Sequence, residues 1–280
     1  MPAKLDHILA APPKAITGEA SSIKHFQEKL QRLAADLPPG LDPALDNYRT
    51  SKAGDSNFST TLNRQVRAFM LYRSYAVTGA RFLDWGCRHA WDSCLIRMTN
   101  KSAAIDGCDI TPGMAEATKH FADLRYTALT HPSKLPYADN SFDRVISSGV
   151  LEHAPLFNES LLELNRVTEV GGYLIITFLP NRLSYTECAC RTIFKRSQHL
   201  RLYSIRQLKR ALLDHGFEPV EIGYHQVLPS LTAGHSIVQW PWLGAALRVL
   251  FKLDPLAERI WPLRVFGANI YAVARKRDYV

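Results

Sequence analysis

The sequence has no apolar run approaching the roughly 20 residues that cross a bilayer, so a membrane span is not expected. Its first residues include prolines, lysines and Asp6 but no continuous apolar core, so no secretory signal is read there. Cysteine is scarce. There are five (Cys87, Cys94, Cys108, Cys188 and Cys190), an odd number without the paired spacing of a zinc site. Cys188 and Cys190, the closest pair, read as helix-face or strand cysteines, and the compartment expected is reducing and cytoplasmic. No internal repeat is present. A recognition motif or stacking-aromatic module is also lacking, so nucleic acid is not the favoured partner.

What is present fits a globular chain. Hydrophobic residues make up 46% and charged residues 21%, and 280 residues hold one large α/β domain with additions or two small ones. A net charge of +8 implies attraction to an anionic partner, whether a phosphorylated substrate, nucleic acid or an acidic lipid surface, unless the cations only solvate the surface.

Residues 1–20 are rich in alanine and proline. A helix is expected over 23–37, with Ile23, Phe26, Leu30 and Leu33 on one face, and another from Thr60 or Thr61. Strand and helix then alternate. Strands are expected at Phe82-Leu83, 103–110, 126–129, 144–147, 173–179, 217–227 and 269–274. Helices fall at 91–98, 113–124, 156–168 (stopped by Gly171-Gly172) and 202–215. This order implies an α/β fold with a mainly parallel sheet covered on both faces.

The centre of the pattern is Arg81 to Ala90, a strand, a glycine-containing turn and the start of a helix. Such a turn presents backbone N–H groups and a helix N-terminus at the carboxyl edge of the sheet, where open α/β sheets bind ligands. Asp84 is placed to brace the turn and to approach a ligand's ammonium group through water. Asp109 follows the turn by roughly 20 residues, the offset at which a carboxylate grips a ribose diol.

Taken together, these segments resemble the class I S-adenosylmethionine-dependent methyltransferases of the small-molecule type. The resemblance is carried by Phe82 to Cys87, Asp106 to Thr111, Leu135 to Ile146, Ser148 to His153, Glu163 to Val167 and Gly171 to Ile176. It extends through Tyr203-Ser204 and His215-Gly216-Phe217, so it covers roughly Ala80 to Val227. It implies a Rossmann-like seven-stranded sheet with an antiparallel last strand. It assigns S-adenosylmethionine contacts to Asp84, Gly86, Cys87, Arg88, Asp109, Ile110, His131, Pro132 and Ser148. Two positions depart from the family pattern. Arg88 and Ala90 replace turn glycines, and His131 stands where many members carry an acid beside the adenine. These departures motivate an alternative, a non-catalytic methyltransferase-like protein serving a partner enzyme. A nicotinamide-dependent enzyme is disfavoured because the turn lacks a complete Gly-x-Gly-x-x-Gly.

The resemblance implies methyl transfer to a small-molecule or lipid-like acceptor, with oxygen the expected atom. His153 is the candidate proton acceptor, and His199 and Tyr203 are weaker substrate contacts. Cations crowd the stretch from Arg191 to Arg210. Leu228 to Phe266 is long and aromatic, with an amphipathic helix expected over 245–253. Together, residues 191–260 suit contact with an anionic membrane or a lipid-linked acceptor, or else form a helical cap. The expected organisation is an N-terminal helical arm or lid (1–75), a cofactor-binding core (76–227) and an aromatic helical insertion with the final strand (228–280).

Overall fold

In the computed structural model, the described residues are 68, 71–75, 79–192, 199, 201–228 and 253–278. The helix expected over 23–37 and the amphipathic helix over 245–253 lie almost entirely outside them. Of the helix expected from residue 60, positions 68 and 71–74 are described and helical.

In chain order the elements are β1 (Arg81–Trp85), α1 (Trp91–Thr99), β2 (Ala104–Asp109), α2 (Glu116–Ala122), β3 (Leu124–Ala128), β4 (Phe142–Ser148) and α3 (Phe157–Val167). There follow β5 (Thr168–Pro180), α4 (Tyr185–Thr192), α5 (Ile205–Asp214), β6 (Phe217–His225), α6 (Asp254–Ala257), a 3-10 turn (Leu263–Phe266) and β7 (Asn269–Lys276). The strands form one seven-stranded sheet in the order β3-β2-β1-β4-β5-β7-β6. Strands β1 to β5 pair in parallel, and β7 runs antiparallel to β5 and β6. The expected fold is therefore present.

Alternation along the strands builds two cores. Phe82, Ile105, Ile146, Ile175 and Val273 pack on one face with Cys94, Leu95 and Ile96 of α1 and with Tyr72. Leu83, Trp85, Val145, Leu174 and Ile176 pack on the other with Leu161 and Leu164 of α3 and Leu208 and Leu212 of α5. Period-two strands sandwiched between period-3.6 helices can do this only if both faces are apolar. A fully buried leucine such as Leu83 contributes about 1.5–3 kcal/mol. Among the described residues, no helix is long and apolar enough to cross a membrane.

The loop into β4 is held by one arginine. Arg166 donates to Glu163, to Asp139 and to the carbonyls of Leu135 and Tyr137, while Leu135 N–H donates to Glu163. The stretch from Leu135 to Ile146 is thus a bracing motif that sets where β4 begins.

Two expectations are corrected. Gly171-Gly172 does not stop the helix. The helix ends at Val167, and the strand starts at once and runs through both glycines. Gly171 has φ 78° beside a register shift between β4 and β5, and a Cβ on Gly172 would lie 2.9 Å from the Asp143 carbonyl. The pair is required by a bulge and a close backbone approach rather than by a helix end. Residue 124 is also strand, not helix. Asp123, at φ 49°, closes α2 in the left-handed conformation where glycine is commoner.

Candidate active site

Register sets the site. Trp85 pairs with Cys108 on β2 and with Ser147 on β4. Gly86, Asp109 and Ser148 therefore sit level with one another, one residue further along three adjacent parallel strands. This is the carboxyl edge that the sequence indicates.

The turn after β1 is anchored to β2. Gly86 N–H and Cys87 N–H both donate to the Cys108 carbonyl, at 2.8 and 3.2 Å. Gly86 has φ 72°, and a Cβ there would stand 2.5 Å from the Val150 side chain, so both the backbone and the space demand glycine. Arg88 and Ala90 adopt φ 46° and 56°. Two non-glycine residues thus hold left-handed backbone in this loop, and the Arg88 side chain is exposed. The Cys87 side chain is buried, near enough to Gly107 that a Cβ there would lie 2.9 Å from its sulfur. Burial raises the Cys87 thiol pKa far above its ordinary value, which leaves it inert.

Asp84 lies on the same face of β1 as Phe82 and so meets α1. Its Oδ2 accepts from Ser93 N–H at 3.0 Å and from the Ser93 hydroxyl at 2.6 Å. Burial, reinforced by the charge of Asp92, pushes the Asp84 pKa up to about 7, and the Ser93 bonds pull in the opposite direction. Tyr72 donates to Asp92 Oδ1 at 2.5 Å. Asp84 at the end of β1 and Asp92 in the first turn of α1 thus bring two carboxyl groups together beside the loop. Sequence reading found Asp84 but missed Tyr72, Asp92 and Ser93. The apolar spacing around Tyr72 hides its hydroxyl, and Asp92 and Ser93 look like ordinary first-turn residues.

Asp109 is buried at the end of β2. Its carboxylate accepts from Arg88 N–H (2.9 Å) and Thr111 N–H (2.8 Å), which fixes its plane and leaves lone pairs on both oxygens. The neighbouring side chain, Ile110, is 66% exposed, an apolar surface at the rim. Leu129 N–H donates to the Asp109 carbonyl at 2.7 Å, which draws the loop carrying His131 and Pro132 beside β2. His131 Nδ1 lies 3.2 Å from Ser133 N–H and accepts from it, so the imidazole caps this turn much as a carboxylate would. Ser148 closes β4, half-buried and paired with Thr177.

His153 lies on the turn after β4, at the same edge. Burial, then the proximity of His199, lowers its pKa, so it is neutral near pH 7. The His153 and His199 ring centroids are 5.8 Å apart. His199 Nδ1 is 2.6 Å from Glu187 Oε1 of α4. Tyr203 is buried and donates to the Leu151 carbonyl at 3.3 Å, so it braces the turn. Beyond β5 a recess of about 410 Å³ is lined by Arg182, Glu187, Cys188, Arg191, Thr192 and Leu202. Residues 193–198 and 229–252, which hold much of the expected basic and aromatic surface, lie outside the described residues. Later in the chain, Leu256, Ile260, Trp261, Leu263 and Phe266 are exposed.

Comparison with known proteins agrees with this geometry. Residues 83–176 match the family model described as a methyltransferase domain. The malonyl-[acyl-carrier protein] O-methyltransferase of Buchnera aphidicola is 27% identical over 163 residues, covering 58% of this chain and 65% of that one. The demethylmenaquinone methyltransferase of Staphylococcus saprophyticus is 30% identical over 117 residues, covering 40% and 50%. The matched stretches thus span half to about two thirds of those relatives' lengths. A geranyl diphosphate methyltransferase solved with S-adenosylmethionine shares the fold at a TM-score of 0.52 and 16% identity, covering 81% of this chain and 93% of that one. The sheet order, the turn after β1 and the acid at the end of β2 thus frame a segment, residues 83–176, that is similar to a methyltransferase domain.

Proposed function

We propose that this protein transfers a methyl group from S-adenosylmethionine to a small acceptor bearing an anionic group, with oxygen as the receiving atom. The observation that carries this reading is the level arrangement of Gly86, Asp109 and Ser148, with the Asp109 carboxylate oriented by two backbone N–H groups. The residues fit the cofactor. Asp109 would hold the ribose hydroxyls. Asp84 and Asp92 supply the negative charge that the methionine ammonium needs. Exposed Ile110 offers an apolar surface to the adenine, beside the turn capped by His131. When bound, S-adenosylmethionine supplies an electrophilic methyl carbon that needs little further activation.

What remains for the protein is to hold the acceptor in line and to manage its proton. His153, neutral and at the same edge, is placed to take that proton. Arg182 and Arg191 in the recess suit a carboxylate or phosphate on the acceptor. The similarity to a methyltransferase whose substrate is a malonyl group on a carrier protein supports an anionic acceptor, and a soluble, cytoplasmic setting accords with it. Left-handed backbone at Arg88 and Ala90 means that side chains at these positions do not prevent the tight turn a cofactor would need.

Titration calorimetry with S-adenosylmethionine and S-adenosylhomocysteine tests the cofactor site. Both are expected to bind at one equivalent. Asp109→Ala should weaken binding by about 1–3 kcal/mol, the worth of charged hydrogen bonds. Absence of heat with either ligand would remove the catalytic reading. Mass spectrometry of extract metabolites that gain a labelled methyl group would then identify the acceptor.

A further inference from the structure

Glu152, His153 and His199 each present a ligand atom, and these atoms all lie within 4.8 Å of one another. Glu152 is a buried carboxylate, 2% exposed, on the turn after β4. His199 comes from the far side, between α4 and α5. Two imidazoles bound to one ion through bonds of about 2.1 Å place their ring centroids roughly 5–6 Å apart, and the observed separation is 5.8 Å with the planes tilted by 38°. Modest side-chain rotation would bring the three atoms onto one ion.

The surroundings hold these groups in place without an ion. Arg201 donates to the carbonyls of Ala154 and Pro155, and Tyr203 donates to the Leu151 carbonyl. The segment that carries His199 is thereby tied to the segment that carries Glu152 and His153. Glu187, itself 7% exposed, holds Nδ1 of His199 at 2.6 Å, so a ligand bond from His199 would have to come from Nε2. A carboxylate behind a histidine is the usual outer partner of a metal ligand.

We propose that Glu152, His153 and His199 bind a divalent transition-metal ion, Zn²⁺ by donor chemistry, with Glu187 as the outer partner of His199. Two imidazole nitrogens and one carboxylate oxygen suit zinc with one position left open. A single protein oxygen is too few for Ca²⁺ and a poor match for Mg²⁺. Glu187, which holds His199, also lines the recess, so an acceptor bound there would lie on the His199 side of the ion. With the ion bound, His153 is a ligand and not the proton acceptor, so this inference revises the acceptor side of the proposed function. It does not depend on cofactor binding.

The test uses the full chain, stripped with chelator and free of cofactor and acceptor, with Co²⁺ and Zn²⁺ added alone. One equivalent of Co²⁺ should bind saturably and give visible d–d absorption without a thiolate charge-transfer band, and Zn²⁺ should displace it. X-ray absorption of the Zn²⁺-loaded native chain should show two imidazoles and no sulfur, a readout that needs no variant. His153→Ala and His199→Ala should abolish stoichiometric binding. Glu187→Gln should weaken it about 10–100-fold, and Cys188→Ser should leave it unchanged. Far-UV circular dichroism of each variant checks that it is folded. Absence of saturable binding by the native chain would overturn the proposal. So would sulfur in the coordination shell, or undiminished binding in a folded His199→Ala chain. Cofactor calorimetry on the same preparation reads the methyltransferase assignment separately, so either can fail without the other.

Discussion

At the scale of single residues, Asp84 is the group whose chemistry reaches furthest. It is buried beside Asp92, and its pKa is raised from an unfolded value near 4 to about 7, first by loss of water and then by like charge. A raised folded value means that the folded state binds the extra proton. The contribution of Asp84 to folding stability is therefore complete below about pH 4 and falls as pH rises through about 7. Asp84→Asn should accordingly gain thermal stability relative to the native chain at pH 8, and less or none at pH 5. The same proton should report on the ligand. An ammonium group arriving beside Asp84 and Asp92 favours the ionised carboxylate, so binding near pH 6.5 should expel a fraction of a proton. Calorimetry of S-adenosylhomocysteine in two buffers of different ionisation enthalpy measures that release. It should vanish in Asp84→Asn. A release unchanged by the substitution would place the ammonium elsewhere.

At the scale of elements, Arg166 joins α3 to the loop that feeds β4. It makes five hydrogen bonds to Glu163, Asp139, Leu135 and Tyr137, with its own side chain 30% exposed. The partial exposure discounts each bond, and Arg166→Ala should cost about 2 kcal/mol, or roughly 4–8 °C in the thermal midpoint. Hydrogen exchange should show the loss concentrated in residues 135–148. A uniform loss across the sheet would mean that the arginine does not act as a local brace. The carboxyl of Glu163 is held below its ordinary range by Arg166, so this contribution is present above that range and is lost on acidification. The sequence disclosed much at this scale. Strands β1, β2 and β4 stood out because short apolar runs end in polar turns, and α1 and α3 because their apolar spacing is helical. The boundaries at Asp123 and at Gly171-Gly172 were hidden. Left-handed closure by aspartate and a glycine pair inside a bulged strand both imitate the opposite signal, and only the neighbouring backbone reveals which applies. In the site, Asp84, Gly86 and Asp109 were legible from their spacing. Tyr72, Ser93 and Glu187 were not, since each gains its role from a contact across the fold.

At the scale of the whole molecule, a net charge of +8 creates a field that reaches beyond any one contact. Arg182 and Arg191 line the recess beyond β5, at the carboxyl edge that also carries Gly86, Asp109 and Ser148, while the acids Asp84, Asp92 and Asp109 lie by the first two strands. Glu187 also lines the recess and pairs with Arg191, so its two arginines against one acid leave a positive excess there, and under the proposed function that excess would attract an anionic acceptor. Because the steering is long-range, ionic strength should govern acceptor capture and leave the bound state nearly untouched. Raising salt from about 0.01 M to about 1 M shortens the screening length from about 30 to about 3 Å. Over that range the KM of the acceptor found by methyl labelling should climb by roughly tenfold or more, with kcat almost constant and the affinity for S-adenosylhomocysteine little changed. Arg182→Ala and Arg191→Ala should raise KM at low salt and flatten its rise. A KM indifferent to salt would identify a neutral acceptor, and the excess of lysine and arginine would then be a property of the surface rather than of the site.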